Sequence, residues 1–152
     1  NFLRDVREDV EDRDRIYLPQ RTLERHGVTD EQIERLAFSE SFAAAMRDEM
    51  RRAEQLYRQG VTGIQYLPAD CRFAVLLAAV LYAEHHRLIR ACDYDVLSEA
   101  PQLGTARKLW LVARTWWHWR RTRDPETVFR RVSAVGEGDQ AAHGAGTPTP
   151  TR

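Results

Sequence analysis

Acidic side chains at the start of the chain recur at the spacing of one helical face. If residues 1–13 form a helix, five polar residues share an arc of about 100°: Asn1, Asp5, Glu8, Asp9 and Asp12. Residues four apart rise about 6 Å along a face, so such carboxylates can hold metal ions against a diphosphate. Arg4 and Arg15 would supply hydrogen-bond donors for the phosphate oxygens. The alternative is a solvent-exposed face with ion pairs, such as Arg4 with Glu8.

Hydrophobic periodicity predicts helices along almost the whole chain and hardly any strand. Capping residues, prolines and glycines place the expected helices at residues 1–13, 19–27, 29–37, 39–63, 68–92, 104–121 and 124–132. The helix at 68–92 should be the longest, and it should be surrounded by other helices because it is apolar nearly all round. We therefore expect an all-α helical bundle over residues 1–135. The Gly, Ala, Thr and Pro content of residues 136–152 predicts a disordered tail.

Composition and charge argue against several classes of protein. The chain has 43% hydrophobic and 30% charged residues, as globular domains do, and its 23 basic residues balance 23 acidic ones. This balance gives no general attraction to nucleic acid. Cys71 and Cys92 would lie about 31 Å apart on one helix, too far for a disulfide. The chain starts without a signal sequence and its longest apolar run is residues 73–83, so we expect a cytoplasmic protein.

The segment at residues 114–123 mixes tryptophan with arginine and has three interpretations. Trp110, Ala113 and Trp117 form an apolar stripe on a helical wheel, which favours packing in the core. Trp116, Trp117 and Trp119, interleaved with arginines, also suit the surface of a bilayer, so peripheral membrane contact is kept as an alternative. Stacking on single-stranded nucleic acid is the least favoured of the three, and we expect no nucleic-acid partner.

Two strings near the start carry a specific resemblance. The chain begins Asn1-Phe2-Leu3-Arg4-Asp5-Val6-Arg7-Glu8-Asp9 and soon continues Arg15-Ile16-Tyr17-Leu18-Pro19. These strings closely resemble the second aspartate-rich motif of the squalene/phytoene synthase family, N-x-x-R-D-x-x-E-D followed by R-x-Y-x-P. Similarity continues through Leu81-Tyr82, Tyr94-Asp95-Val96 and Thr105-Ala106-Arg107-Lys108-Leu109, and it covers residues 1–135. Within the family, the chain most resembles the phytoene synthases, which implies the all-α bundle of isoprenoid synthases.

The resemblance implies roles for particular residues. Mg²⁺, or Mn²⁺ in its place, would be bound by Asn1, Asp5 and Asp9. Arg4 and Arg15 would bind the substrate diphosphate, and Tyr82 would line the isoprenoid pocket beside the reacting carbons. Asp5, Asp9 and Tyr82 would therefore be catalytic, with Asp5 and Asp9 pointing into one cleft that Tyr82 borders. Without the resemblance, Tyr82 would be interpreted as a core tyrosine.

The implied activity is a head-to-head condensation of two allylic isoprenoid diphosphates by a Mg²⁺-dependent transferase, forming phytoene from two geranylgeranyl diphosphates in carotenoid biosynthesis. Squalene or dehydrosqualene synthesis from farnesyl diphosphate is the alternative, because no residue reveals the depth of the pocket. A non-catalytic helical interaction module is the remaining class. The family's first aspartate-rich motif has no equivalent here, so we expect an incomplete C-terminal half. His85 and His86 lack the i, i+4 spacing of helical zinc ligands and are interpreted as structural or pocket-rim residues.

Overall fold

The computed structural model describes residues 2–135, so Asn1 and the predicted tail at residues 136–152 lie outside the described residues. Within that range the chain forms seven α-helices and no strand. In chain order they are α1 Val6–Arg13, α2 Gln20–His26, α3 Asp30–Glu34, α4 Glu40–Gly63, α5 Arg72–Ala91, α6 Thr105–Thr122 and α7 Pro125–Val132. A 3₁₀-helix, Ile64–Tyr66, follows α4. The predicted all-α fold class is confirmed.

Side-chain capping explains where three of the described helices begin, α3, α4 and α7. Thr29 and Gln32 form a reciprocal capping box at the start of α3. Ser39 and Asp124 each accept the backbone N–H three residues later, at 3.1 and 3.0 Å, and so cap α4 and α7. Gly27 ends α2 with a φ of 68°, a conformation that glycine adopts without steric cost. These ends agree with the sequence prediction to within a few residues.

Two predicted helices start later than expected. Residues 2–4 form a turn, so α1 begins at Val6. The backbone N–H of Cys71 donates to the carbonyl oxygen of Pro68 at 3.2 Å, which closes a turn there, and α5 begins at Arg72. With 20 residues α5 is shorter than α4, which has 24, so the expectation that it is the longest helix was wrong. No helix of the described residues is long and apolar enough to cross a bilayer.

Two hydrophobic clusters form the core, and α4 and α5 contribute to both. The first cluster joins α1, α2 and α3 to the beginning of α4 and the end of α5, around residues such as Leu23, Phe42 and Met46. The second joins the end of α4 and the beginning of α5 to α6 and α7, around Leu76 and Leu111. The two long helices therefore tie the halves of the bundle together.

The exposure of α5 and α6 differs from the sequence prediction. One stripe of α5, which includes Val75 and Tyr82, is exposed, so that helix is not surrounded on all sides. On α6, Trp110 and Trp117 are 43% and 51% exposed, so their predicted packing in the core was wrong. The buried face of α6 instead carries Leu111, Thr115 and Trp119.

Candidate functional site

An apolar cavity of about 450 Å³ lies between α4, α5 and the turn that precedes α1. Most of its wall is aliphatic or aromatic: Phe2, Leu3, Ala53, Leu56, Tyr57, Val61, Ile64, Val75, Ala79 and Ile89. The exposed stripe of α5 forms one side, because Val75, Ala79 and Tyr82 follow each other at helical spacing. This cavity can take a flexible hydrocarbon chain and has few groups that would bind water.

A second cavity, of about 490 Å³, lies beside the first and is polar along one side. Asp5 and Glu8 of the α1 region line it together with Lys108 of α6, and the loop at residues 100–103 completes the wall. Carboxylates and a lysine around one space are suited to a phosphate-bearing group together with a cation.

Three residues line both cavities: Arg4, Tyr82 and His85. We call this set the junction. Arg4 Nη1 lies 3.1 Å from His85 Nε2, and Arg4 Nη2 donates to Asp5 Oδ2 at 2.8 Å. The rings of Tyr82 and His85 have centroids 6.5 Å apart. An elongated molecule with an apolar tail and an anionic head could therefore lie across the junction.

Burial and neighbouring charges at the junction determine the protonation states of Arg4 and His85. The hydrogen bond to Asp5 raises the pKa of Arg4, so the guanidinium stays charged. Burial and the charge of Arg4 lower the pKa of His85, which favours a neutral imidazole. In a neutral ring Nε2 accepts from Arg4, while Nδ1–H donates to the carbonyl oxygen of Tyr82 at 3.3 Å. His85 thus holds Arg4 between the two cavities.

The structure brings together some of the predicted site residues and not others. Arg4, Asp5 and Tyr82 line the polar cavity, as the sequence predicts for their positions. Asp9 is only 2% exposed, is ion-paired with Arg13 and does not line that cavity. The expected shared cleft for Asp5 and Asp9 is therefore not formed in this structure.

The structure places Arg15 away from the two cavities, and Lys108 and His85 at them. Arg15 is exposed and donates to the hydroxyl of Tyr17 at 3.4 Å, away from both cavities. Asn1 lies outside the described residues. The sequence interpretation missed Lys108 and underestimated His85. One available signal was that His85 follows Tyr82 by three residues and so shares its helical face.

A divalent cation in the polar cavity would need phosphate oxygens of a bound molecule as ligands in addition to protein carboxylates. No group of three or more His, Cys, Asp or Glu residues in the described part of the chain could hold a metal ion by itself. Asp5 and Glu8 nevertheless offer carboxylates to the cavity. Because Mg²⁺ is commonly held by one or two carboxylates plus substrate phosphate oxygens, this partial donor set fits a metal–diphosphate complex.

Comparison with known proteins identifies the class. The family model described as squalene/phytoene synthase matches residues 1–108, which includes the turn before α1, α1 and the junction. The chain therefore belongs to the squalene/phytoene synthase family, and the all-α architecture is that of the isoprenoid synthases. The match ends within α6, short of residue 135, to which the resemblance was expected to extend.

Several relatives are phytoene synthases. The chain is 34% identical to a chloroplastic phytoene synthase of Daucus carota over 109 residues, which cover 72% of this chain and 27% of the relative. It is 34% identical to a 15-cis-phytoene synthase of Synechocystis sp. over 116 residues, 76% of this chain and 34% of the relative. With a phytoene synthase of Thermus thermophilus the identity is 38% over 103 residues, 68% of this chain and 35% of the relative. The alignments thus span about a quarter to a third of these relatives' lengths, and no solved structure matches.

Proposed function

We propose that the protein condenses two geranylgeranyl diphosphates head to head to form phytoene, as a divalent-metal-dependent transferase of carotenoid biosynthesis. The observation that supports this proposal best is the junction, where an apolar and a polar cavity share Arg4, Tyr82 and His85. The substrate has the same two-part character, with a long hydrocarbon chain on a diphosphate. Phytoene is favoured over squalene or dehydrosqualene as the product because the relatives reported above are named phytoene synthases.

Arg4 is proposed to bind the diphosphate. Its guanidinium is charged and offers several donors in one plane, which matches the geometry of phosphate oxygens. The neutral His85 accepts from Arg4 Nη1 at 3.1 Å, and Asp5 accepts from Nε and Nη2. The second N–H of each terminal nitrogen is left for a phosphate oxygen. Lys108 adds a second positive charge to the lining of the polar cavity.

Asp5 is proposed to hold the metal, with Mg²⁺ as the expected ion and Mn²⁺ as the alternative. The bound metal would neutralise negative charge on the departing diphosphate. Asn1 and Asp9 remain predicted ligands by resemblance to the family motif. For Asp9 this requires that its carboxylate leave the ion pair with Arg13. Asp5 would likewise have to share or release Arg4, which donates to both of its oxygens.

Tyr82 and the apolar wall are proposed to protect the reacting carbons. When an allylic diphosphate ionises, the carbocation must be shielded from water until the second substrate attacks. The Tyr82 ring lies at the boundary of the two cavities, where positive charge develops as the diphosphate leaves. The face of an aromatic ring stabilises a nearby cation without reacting as readily as a lone-pair nucleophile.

Substituting Asp5 tests this function. In the natural protein, Asp5→Asn should lower the rate of phytoene formation from geranylgeranyl diphosphate by roughly a hundredfold or more, because a neutral amide is a poor ligand for a metal that stabilises the transition state. Turnover is measured with Mg²⁺ present and helicity by circular dichroism. Asp12→Asn is the matched control, since Asp12 is exposed on α1 and lines neither cavity. Equal rates for the two variants would refute the assignment.

Peripheral contact with a membrane remains a proposal. The exposed apolar side chains of α6 support it: Leu109, Trp110, Trp116 and Trp117. Arg120 and Arg121 lie over the rings of Trp116 and Trp117, at 5.2 and 3.8 Å from the centroids. Aromatic rings with adjacent positive charges suit the headgroup region of a bilayer. A cytoplasmic location is likewise proposed for this chain, whereas the name of the carrot relative places that protein in the chloroplast.

A further inference from the structure

A cavity of about 310 Å³ lies between α5, α6 and α7, on the opposite side of α5 from the junction. Its lining is unusually basic and includes one carboxylate: Glu84, Arg87, Arg90, Arg107, Arg114 and Arg131. We call it the arginine cavity. Glu84 and Tyr82 are two positions apart, so their side chains leave α5 in nearly opposite directions. None of its lining residues lines either of the cavities that meet at the junction.

The positive charge in the arginine cavity is only partly compensated. Arg87 and Arg107 both donate to one oxygen of Glu84, so two guanidinium groups share a single carboxylate. Arg90 is ion-paired with Glu54, which does not line the cavity.

The other two arginines, Arg114 and Arg131, have no carboxylate partner among the described residues. The side chain of Arg114 donates to the backbone carbonyl oxygen of Arg131 at 2.7 Å. With Arg90 paired to Glu54, four guanidinium groups remain around the single carboxylate of Glu84, and their mutual repulsion costs electrostatic energy unless an anion offsets it.

The charges of Arg114 and Arg131 also act on His118, and the ring of Trp110 restrains Arg107 and Arg114. Burial lowers the pKa of His118, and the charges of Arg114 and Arg131 lower it further. The guanidinium groups of Arg107 and Arg114 lie over the ring of Trp110, 4.2 and 4.9 Å from its centroid. This stacking restricts the two side chains, so less entropy is lost when they bind a ligand.

We propose that the arginine cavity binds a phosphate group. The planar guanidinium fork pairs with two phosphate oxygens at once, and several forks converge from three helices. The cavity is large enough for one phosphate or diphosphate. The group comes either from a free inorganic ion or from the headgroup of an anionic phospholipid, since the exposed tryptophans of α6 adjoin the cavity through Trp110.

Calorimetric titration with inorganic phosphate and diphosphate tests the free-ion source. Sedimentation with vesicles of phosphatidylcholine, with and without phosphatidylglycerol, tests the headgroup source. Arg114→Gln combined with Arg131→Gln should weaken binding at least tenfold, because it removes the two arginines without a carboxylate partner. The matched control, Arg21→Gln with Arg35→Gln, removes the same charge from exposed positions outside the cavity and should leave binding unchanged.

A second variant distinguishes recognition by the guanidinium fork from general charge. Arg114→Lys with Arg131→Lys keeps both charges but loses the planar fork, so binding should fall between that of the wild type and the glutamine pair. If circular dichroism shows that the glutamine double variant does not fold, the lysine double variant still tests the proposal. In nuclear magnetic resonance titrations, a bound anion should raise the pKa of His118, because it offsets the charges of Arg114 and Arg131.

The outcomes separate the two sources and can overturn the proposal. Loss of a phosphate or diphosphate site in the Arg114 and Arg131 double variant, but not in the Arg21 and Arg35 control, supports a free ion, whether or not a separate site at the junction is retained. Loss of phosphatidylglycerol-dependent sedimentation in that variant alone supports a headgroup. Absence of any binding by the wild type, or equal losses in the cavity and control variants, would show that the arginines are ordinary surface charge. None of these results depends on phytoene synthesis.

Discussion

At the scale of single residues, Tyr82 is the position that best separates a role in substrate contact from a purely structural role of the junction. Its side chain is 47% exposed, and it lines both the apolar and the polar cavity. A tyrosine retained for stability would be expected to bury more of its ring and to hold its hydroxyl against a partner. The exposed position therefore favours contact with substrate over support of the core.

We predict that Tyr82→Leu lowers the rate of phytoene formation by about tenfold or more, or diverts the product, with little loss of stability. Leucine keeps much of the apolar volume but has no ring face for a developing cation. Product profiles by chromatography and the midpoint of urea unfolding provide the two measurements. Tyr66→Leu is the control, because Tyr66 is 83% exposed and lines neither cavity. An unchanged rate and product for Tyr82→Leu would exclude the proposed contact.

At the scale of elements, Asp124 fixes the start of α7, a helix that packs against α4, α5 and α6. Its carboxylate accepts the backbone N–H of Thr127 at 3.0 Å. We predict that Asp124→Ala lowers the free energy of unfolding by about 1 kcal/mol, whereas Asp124→Asn, which can still accept, costs less. Urea unfolding at neutral pH gives both values.

The same cap has a predicted pH dependence. The hydrogen bond from Thr127 lowers the pKa of Asp124. Its stabilising contribution is therefore complete above the unfolded-state pKa of about 3.9 and is lost as the pH falls through the lower folded-state pKa. The wild type should lose more stability than Asp124→Asn over that acid range. Parallel curves for the two proteins would contradict the proposed cap.

Helix ends were predictable because their causes are local in sequence. Ser39, Thr29 and Asp124 cap helices through contacts to residues three positions away, which a single sequence shows directly. The start of α5 was not predicted, because Pro68 is compatible both with the first turn of a helix and with the separate turn that it forms.

The buried face of α6 could not be predicted because both sides of that helix are rich in apolar atoms. Thr115 is fully buried, and its hydroxyl donates to the carbonyl oxygen of Leu111, so its polar group is satisfied within the helix. This allows the face with Leu111, Thr115 and Trp119 to pack inward while Trp110 stays exposed. A helical wheel gives the two faces but not which one the neighbouring helices cover.

The candidate site was predictable only in part, for a similar reason. The positions of Arg4, Asp5 and Tyr82 followed from a motif and from a family resemblance. His85 contacts Arg4 across 81 positions of sequence, and Lys108 reaches the same cavity from α6. Such pairings depend on how the helices pack, which no local spacing reveals.

At the scale of the whole molecule, a buried polar network lies where the two hydrophobic clusters meet. Glu54 of α4 is ion-paired with Arg90 of α5, and His86 Nδ1 lies 3.2 Å from the same Glu54 oxygen. Tyr57 packs its ring against His86, at 5.6 Å between centroids, and against Phe129 of α7, at 6.0 Å. The network therefore couples α4, α5 and α7 at the centre of the bundle.

Removing the charge of Glu54 should weaken the whole bundle and not one end of it. We predict that Glu54→Gln lowers the free energy of unfolding by about 2 kcal/mol, since it leaves Arg90 without its buried partner. The value lies below the 3–5 kcal/mol typical of a fully buried pair because the Arg90 side chain is 34% exposed. Both clusters should lose stability together, so hydrogen exchange should rise in α2 and in α7 alike.

The stabilising contribution of Glu54 should also depend on pH. Burial alone would raise the pKa of Glu54, but its hydrogen bond with His86 and the charge of Arg90 lower it overall. Its contribution is therefore complete above the unfolded-state pKa of about 4.3 and is lost as the pH falls through the folded-state pKa, and Glu54→Gln should lack that loss. The control is Glu11→Gln, which breaks the exposed pair with Arg7 and should change stability little. If Glu54→Gln accelerated exchange in only one of the two clusters, the network would not be the link between them.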